Sequence, residues 1–213
     1  MGLAAATEYR ISGTRTYNHD VTEPAFQQMT EEEYLRTEEF SPVKREFVAG
    51  YVYPLHGETL AQAGATSGHG ELALAIAANL RPFARKQGCK IYQADMRVNT
   101  QTPTGKAVYY YPDVTATCEP MGSRATSANA PCFIAEVLSP STRHTDQTDK
   151  LWAYTSLASL QVYLIVEPER RHVRVIERRA EGWSEREVGG DGEISLPCLG
   201  ASLTLEQIYE GVL

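Results

Sequence analysis

Residues 131–139 read Pro131-Cys132-Phe133-Ile134-Ala135-Glu136-Val137-Leu138-Ser139, an apolar run with a single acid inside it. Its length and flanking turn residues fit a strand in the middle of a sheet covered on both faces. Side chains alternate along a strand, so Glu136 shares a face with Ile134 and Leu138 and cannot reach water while they are buried. An unpaired carboxylate there costs on the order of several kcal/mol, or has its pKa raised by desolvation. Glu136 must therefore be protonated, salt-bridged or bound to a metal.

Upstream, Val108-Tyr109-Tyr110-Tyr111-Pro112-Asp113-Val114 is a second apolar run broken by one acid. Pro112 removes a ladder donor and so marks an edge, a bulge or a strand end. If the two runs are adjacent strands, Asp113 and Glu136 converge at one end of the sheet. Converging carboxylates repel unless a cation lies between them, and oxygen ligands suit Mg²⁺ or Mn²⁺. A buried structural ion pair is the plainer alternative.

Downstream, Asp146, Lys150 and Tyr154 are spaced i, i+4, i+8 and share one helical face that can lean over the acids. Lys150 can instead pair with Asp146 at the surface, a contact contributing roughly 0.3–0.5 kcal/mol. Tyr154 also fits helix packing.

Around this centre, Thr30 precedes three glutamates and predicts a helix N-cap. The stretch 44–55 reads as two strands joined at Ala49-Gly50. Residues 64–88 form the clearest helix: Leu72, Ile76, Leu80 and Phe83 lie on one face, Thr66 or Ser67 caps it, Gly88 ends it, and Pro82 should kink or end it. His69 stands between glycines at that helix start, placed for turn duty or for contact with phosphate or the acids. Residues 89–100 alternate as one strand, with Tyr92, Ala94, Met96 and Val98 on one face and Gln93, Asp95 and Arg97 on the other. Asp95 then faces solvent or lines the site. Arg170, Arg171, Arg174, Arg178 and Arg179 are the densest basic stretch, either a solvated hairpin or a phosphate-backbone contact. The run Tyr109 to Tyr111 could stack on bases, but a sheet core explains it more simply. This order of elements is α/β, a mixed sheet with helices on its faces.

At 213 residues the chain predicts one domain. Residues 1–28 lack periodicity and read as an extension, flexible or docked on a neighbour, ahead of a single domain over 29–213. Lys plus Arg is 20 and Asp plus Glu is 27, a net charge of −7. That argues against a surface that is all nucleic-acid clamp and still permits a local basic groove. No apolar run approaches a membrane span and the start is not a secretory signal, so a cytoplasmic protein is expected. Cys89, Cys118, Cys132 and Cys198 show no Cys-x-x-Cys spacing, which argues against a zinc knuckle and for small buried hydrophobes in a reducing compartment.

Asp113 in a Pro-Asp pair, Glu136 opening Glu-Val-Leu-Ser-Pro-Ser, then Asp146, Lys150 and Tyr154, together resemble the Uma-two family of endonucleases within the PD-(D/E)xK superfamily. Further matches are Arg45-Glu46-Phe47-Val48 with Gly50, Ser67 with His69, Asp95 with Arg97 and Val98, and Leu203 to Gly211. The likeness runs from about Met29 to Leu213. It implies a restriction-endonuclease-like fold and metal-dependent hydrolysis of nucleic-acid phosphodiesters, DNA above all. Asp113 and Glu136 would hold one or two Mg²⁺ ions (or Mn²⁺), and Glu46 would add a carboxylate. The superfamily's lysine two places after the second acid is Leu138 here; the resemblance implies that Lys150, from the following helix, replaces it. A substrate-binding role would fall to His69, Asp95 and Tyr154, and a homodimer would suit two-strand cutting. Two other readings compete. One is a non-catalytic module that keeps the fold to bind nucleic acid or protein; the other is a metal-free carboxylate-pair hydrolase acting on sugars.

Overall fold

The computed structural model describes residues 27–55, 66–139 and 143–213. Strand β1 (Gln27–Gln28) opens them, with Gln27 opposite Val52 and Gln28 opposite Tyr51. The domain thus includes two residues that the sequence assigned to the extension; the rest of that expected extension, residues 1–26, lies outside the described residues. Thr30 and Glu33 then cap each other reciprocally. Thr30 Oγ1 accepts the Glu33 N–H at 3.2 Å and Glu33 Oε2 accepts the Thr30 N–H at 3.1 Å, which starts helix α1 (Glu31–Glu38). Strands β2 (Arg45–Val48) and β3 (Tyr51–Pro54) follow as the expected hairpin. Its two-residue turn has φ of +53° at Ala49 and +101° at Gly50, and the right-handed strand twist favours such positive values.

Helix α2 (Ser67–Lys86) is capped by Thr66, whose side chain accepts the His69 N–H. Leu72, Ile76, Leu80 and Ala84 are its buried stripe, whereas Phe83 is 40% exposed and not on that face as expected. Pro82 does not end the helix, which runs on to Lys86. Arg81, Pro82 and Ala78 all face solvent, so the carbonyl that Pro82 leaves without a donor can bond water.

The single strand expected over 89–100 is two: β4 (Lys90–Gln93) and β5 (Arg97–Gln101), belonging to different sheets. The chain turns at Ala94, where φ is +56° and the N–H donates to the Asp113 carbonyl at 3.0 Å. The second apolar run divides in the same way. Strand β6 (Ala107–Tyr110) lies in the first sheet and β7 (Val114–Thr117) in the second, with Pro112 in the passage between. Then come β8 (Ser127–Ala128), β9 (Pro131–Val137), helices α3 (Arg143–Gln147) and α4 (Asp149–Thr155), and strands β10 (Val162–Val166), β11 (His172–Arg179) and β12 (Gly182–Gly189). Strands β13 (Glu193–Leu196) and β14 (Ala201–Thr204) flank a 3₁₀ turn, Pro197–Leu199, and helix α5 (Leu205–Tyr209) follows.

The first sheet has the order β1-β3-β2-β6-β5-β8 and the second β12-β11-β10-β9-β7-β4, with β9 and β10 parallel at its centre. All seven residues of β9 are buried, as its apolar run requires. One face of the second sheet, with Phe133, Ala135 and Leu164, packs on Leu72, Ile76 and Leu80 of α2 and Ile208 of α5. The other, with Ile134, Tyr163 and Ile165, packs on Ala153 and Tyr154 of α4 and on Val98 and Val108 of the first sheet. Each buried Leu or Ile contributes about 1.5–3 kcal/mol. Tyr110 belongs to the second of these cores and Tyr109 to a smaller cluster with Tyr34, Phe47 and Val52, so neither is presented for base stacking.

The basic stretch leads into and lies on the β11–β12 hairpin with Arg170, Arg171, Arg178 and Arg179 exposed, the solvated-hairpin alternative. Within it Arg174 pairs with Glu185, Arg179 with Glu177, and Arg178 donates to the Leu157 and Leu160 carbonyls. One expectation changes. The cysteines are not free thiols but pair as Cys89–Cys118 and Cys132–Cys198. Sheet register explains the first pair. β4 runs antiparallel to β7 with Lys90 opposite Thr117, which sets Cys89 across from Cys118.

Candidate active site

Strands β7 and β9 run antiparallel with Val114 opposite Ala135, so Asp113, one residue earlier, arrives beside Glu136. The Asp113 N–H donates to Glu136 Oε2 at 3.3 Å, and Asp113 Oδ2 accepts the Val137 N–H at 2.7 Å. The two acids therefore meet at the end of β7, where Pro112 has just brought the chain across from the first sheet.

Glu136 points into the core between the sheets, as its alternation with Ile134 and Leu138 requires. It is neutralised there by the helix that follows. Lys150 Nζ lies 3.0 Å from Glu136 Oε1, 3.0 Å from Asp146 Oδ1 and 3.6 Å from Glu46 Oε1. The Tyr154 hydroxyl donates to Glu136 Oε1 at 3.0 Å. The helix breaks at Thr148 between α3 and α4, yet the shared face of Asp146, Lys150 and Tyr154 survives the break. The pairing of Lys150 with Asp146 is not the surface contact of the alternative reading: both residues, like Glu136, are buried. Glu46 comes from β2 in the first sheet and also accepts the Tyr111 N–H at 3.3 Å.

Burial pushes the Glu136 carboxyl well above the usual carboxylate range, partly opposed by Lys150. Glu46 is raised for the same reason. Desolvation works against the Lys150 ammonium, but the carboxylates of Glu136, Glu46 and Asp146 outweigh it and hold its pKa well above the ordinary value. Three carboxylates thus surround one ammonium, with Asp113 adjacent.

His69, in the first turn of α2, sets Nε2 3.1 Å from Asp113 Oδ2, and that hydrogen bond raises its pKa. His69, Asp113 and Glu46 are the less buried members, so the cluster opens on their side and closes around Lys150. The structure brings Asp113, Glu136, Lys150, Glu46, His69 and Tyr154 together. It does not bring in Asp95, which follows the turn at Ala94, projects into solvent with 84% of its side chain exposed and pairs with Lys44. Asp146 is the member that sequence reasoning undervalued; its i, i+4 spacing to Lys150 was visible, its burial was not.

Among the described residues no three His, Cys, Asp or Glu side chains form a ready-made metal shell. Mg²⁺ does not need one, because it is commonly held by one or two carboxylates with water and substrate phosphate completing the octahedron. Two observations fit such an ion beside Asp113 and Glu136. Carboxylates outnumber cations in a buried place, and both Asp146 oxygens lack an aligned hydrogen-bond donor even with Nζ 3.0 Å away.

The model of the Uma2 family, described as "Putative restriction endonuclease", matches residues 31–206. Two proteins of Synechocystis sp. are related. "Uncharacterized protein slr1290" is 28% identical over 192 residues, covering 88% of this chain and 94% of that protein. "Uncharacterized protein sll1609" is 31% identical over 142 residues, covering 65% and 75%. The fold is similar to that in the crystal structure of a "putative nuclease belonging to DUF820" from Anabaena variabilis. The TM-score is 0.64 and the identity 15%, with 85% of this chain and 98% of that one covered. No helix among the described residues is long and apolar enough to cross a membrane. With residues 31–206, most of the chain, matched by the family model, the chain belongs to the Uma2 family.

Proposed function

We propose that this protein is a divalent-cation-dependent nuclease that hydrolyses phosphodiester bonds of nucleic acid, DNA in the first instance, with Mg²⁺ or Mn²⁺ held by Asp113 and Glu136. The observation that carries the reading is the buried Glu136 carboxylate, flanked by Asp113 on one side and by Lys150, 3.0 Å from Oε1, on the other. The family description, a restriction endonuclease, supports the nuclease part of this reading.

A bound divalent ion would supply Lewis acidity toward the scissile phosphate and a more acidic attacking water. The chain's own groups do the rest. Val137 N–H and His69 fix Asp113 Oδ2, and Tyr154 and Lys150 fix Glu136 Oε1, so neither carboxylate has to reorganise during the reaction. The Lys150 ammonium opposes the negative charge that develops as the phosphate is attacked. Glu46 brings a further carboxylate from the first sheet. Two chains related by a two-fold axis would present one site to each strand of a duplex.

The test is incubation of the purified chain with plasmid, single-stranded DNA and RNA, with Mg²⁺ or Mn²⁺ and then with chelator. Chelator should stop cleavage, Asp113→Asn and Glu136→Gln should lower it at least about 100-fold, and Lys150→Met about 10²–10³-fold. No cleavage by the wild type under any of these conditions, or equal cleavage by Asp113→Ala, overturns the reading. A second reading, a non-catalytic binding module, draws on the net charge of −7. It predicts nucleic-acid or protein binding without hydrolysis.

A further inference from the structure

Four cysteines scattered along the sequence meet at the end of the second sheet away from Glu136. Cys89 directly precedes β4, Cys118 directly follows β7, Cys132 is the second residue of β9, and Cys198 lies in the 3₁₀ turn. Register brings them together: β4 sets Lys90 opposite Thr117 of β7, and β7 sets Thr117 opposite Pro131 of β9. The two disulfides touch, with Cys118 Sγ 3.9 Å from Cys132 Sγ. Glu136 lies four residues further along β9, about 13 Å at strand rise, so this cluster is separate from the acids.

We propose that, in its reduced state, this cluster is a tetrathiolate site for one Zn²⁺ ion that ties β4, β7, β9 and the 3₁₀ turn together. A tetrahedral zinc–tetrathiolate centre with Zn–S near 2.3 Å has sulfur–sulfur edges of about 3.8 Å. The Cys118–Cys132 separation of 3.9 Å already has that length. Opening each disulfide lets its two sulfurs part by about 1.7 Å to reach the same edge. The Cα atoms of the pairs, 4.0 and 6.2 Å apart, leave that movement to side-chain rotation with a small backbone adjustment. Four protein ligands close the shell, which is the pattern of a structural ion. The centre would carry two negative charges, and Arg81, Arg85 and Lys90 line the surface recess beside Cys89. Cys118 is exposed and Cys198 half-buried, which gives ion and reductant an entry path. In the disulfide form no sulfur is free to ligate, in keeping with the absence of a ready metal site among the described residues.

The chemistry balances. Each disulfide takes two electrons and two protons from a dithiol reductant, which itself becomes a disulfide, and the four resulting thiols release their protons as Zn²⁺ binds. Sequence spacing argues against a zinc knuckle because the ligands share no local turn; the sheet register supplies the proximity that spacing lacks.

The test is to reduce the full chain with a phosphine, remove the reductant without air, and titrate with Co²⁺ and then Zn²⁺. A thiolate-to-Co²⁺ charge-transfer band should saturate at one ion per chain and vanish when Zn²⁺ displaces Co²⁺. Oxygen ligands at Asp113 and Glu136 cannot produce that band. It should be weakened in Cys118→Ser and in Cys198→Ser, which leave three thiolates, and the ion should be held less tightly. Should those variants fail to fold, Zn²⁺ should still protect all four wild-type thiols from alkylation. A reduced chain that shows no such band, folded or unfolded, overturns the proposal, as does a band unchanged in Cys118→Ser.

Discussion

Lys150 is buried with carboxylates at 3.0, 3.0 and 3.6 Å and has a pKa held up by them. Its removal would strand Glu136 and Asp146 as uncompensated buried acids, a loss larger than the value of any single pair. Lys150→Met should therefore lower unfolding free energy by about 3–5 kcal/mol, measured by denaturant titration in chelator. Glu136→Gln should cost much less, because the amide oxygen still accepts from Lys150 and Tyr154. A Lys150→Met chain within about 1 kcal/mol of wild type would mean that the acids are already neutral without the ammonium. The same accounting made Glu136 legible in the sequence: a carboxylate in a strand covered on both faces must find a partner. Which partner it finds is not written in residues 131–139.

Helix α2 shows how an element tolerates a residue that local rules place against it. Pro82 costs a helix interior about 3 kcal/mol relative to alanine, yet Leu72, Ile76, Leu80 and Ala84 hold the helix on the second sheet to Lys86. The apolar stripe outweighs the proline because the lost hydrogen bond faces solvent. Pro82→Ala should raise stability by about 1–3 kcal/mol, read as an increase in Tm; a decrease would show that the ring is needed for packing. Strand periodicity misled in the opposite direction. Residues 89–100 alternate well enough for one strand, but the left-handed Ala94 sends their halves into different sheets and carries Asp95 away from the acids.

The candidate site is a property of the whole molecule, because Glu46 comes from the first sheet, Asp113 and Glu136 from the second, His69 from α2, and Asp146, Lys150 and Tyr154 from α3 and α4. A cation bound by the acids should therefore stabilise the entire domain. Mn²⁺ at about 100 times its dissociation constant should add about 2.7 kcal/mol to unfolding, seen as a rise in Tm that Asp113→Asn lacks. An equal rise in that variant would place the ion elsewhere. The sequence by itself determined the Thr30 cap of α1, the start of α2 to within one residue, the Ala49-Gly50 hairpin, the buried β9 with its one acid, and the face shared by Asp146, Lys150 and Tyr154. These are consequences of period and capping, and neighbouring residues settle them. Only the tertiary structure decided that Glu46 joins the acids, that Asp95 does not, that Asp146 is buried with Lys150, and that four distant cysteines pair. Those outcomes depend on where the chain crosses between sheets, at Ala94 and again after Pro112, and on strand register, which long-range packing sets and local periodicity does not encode.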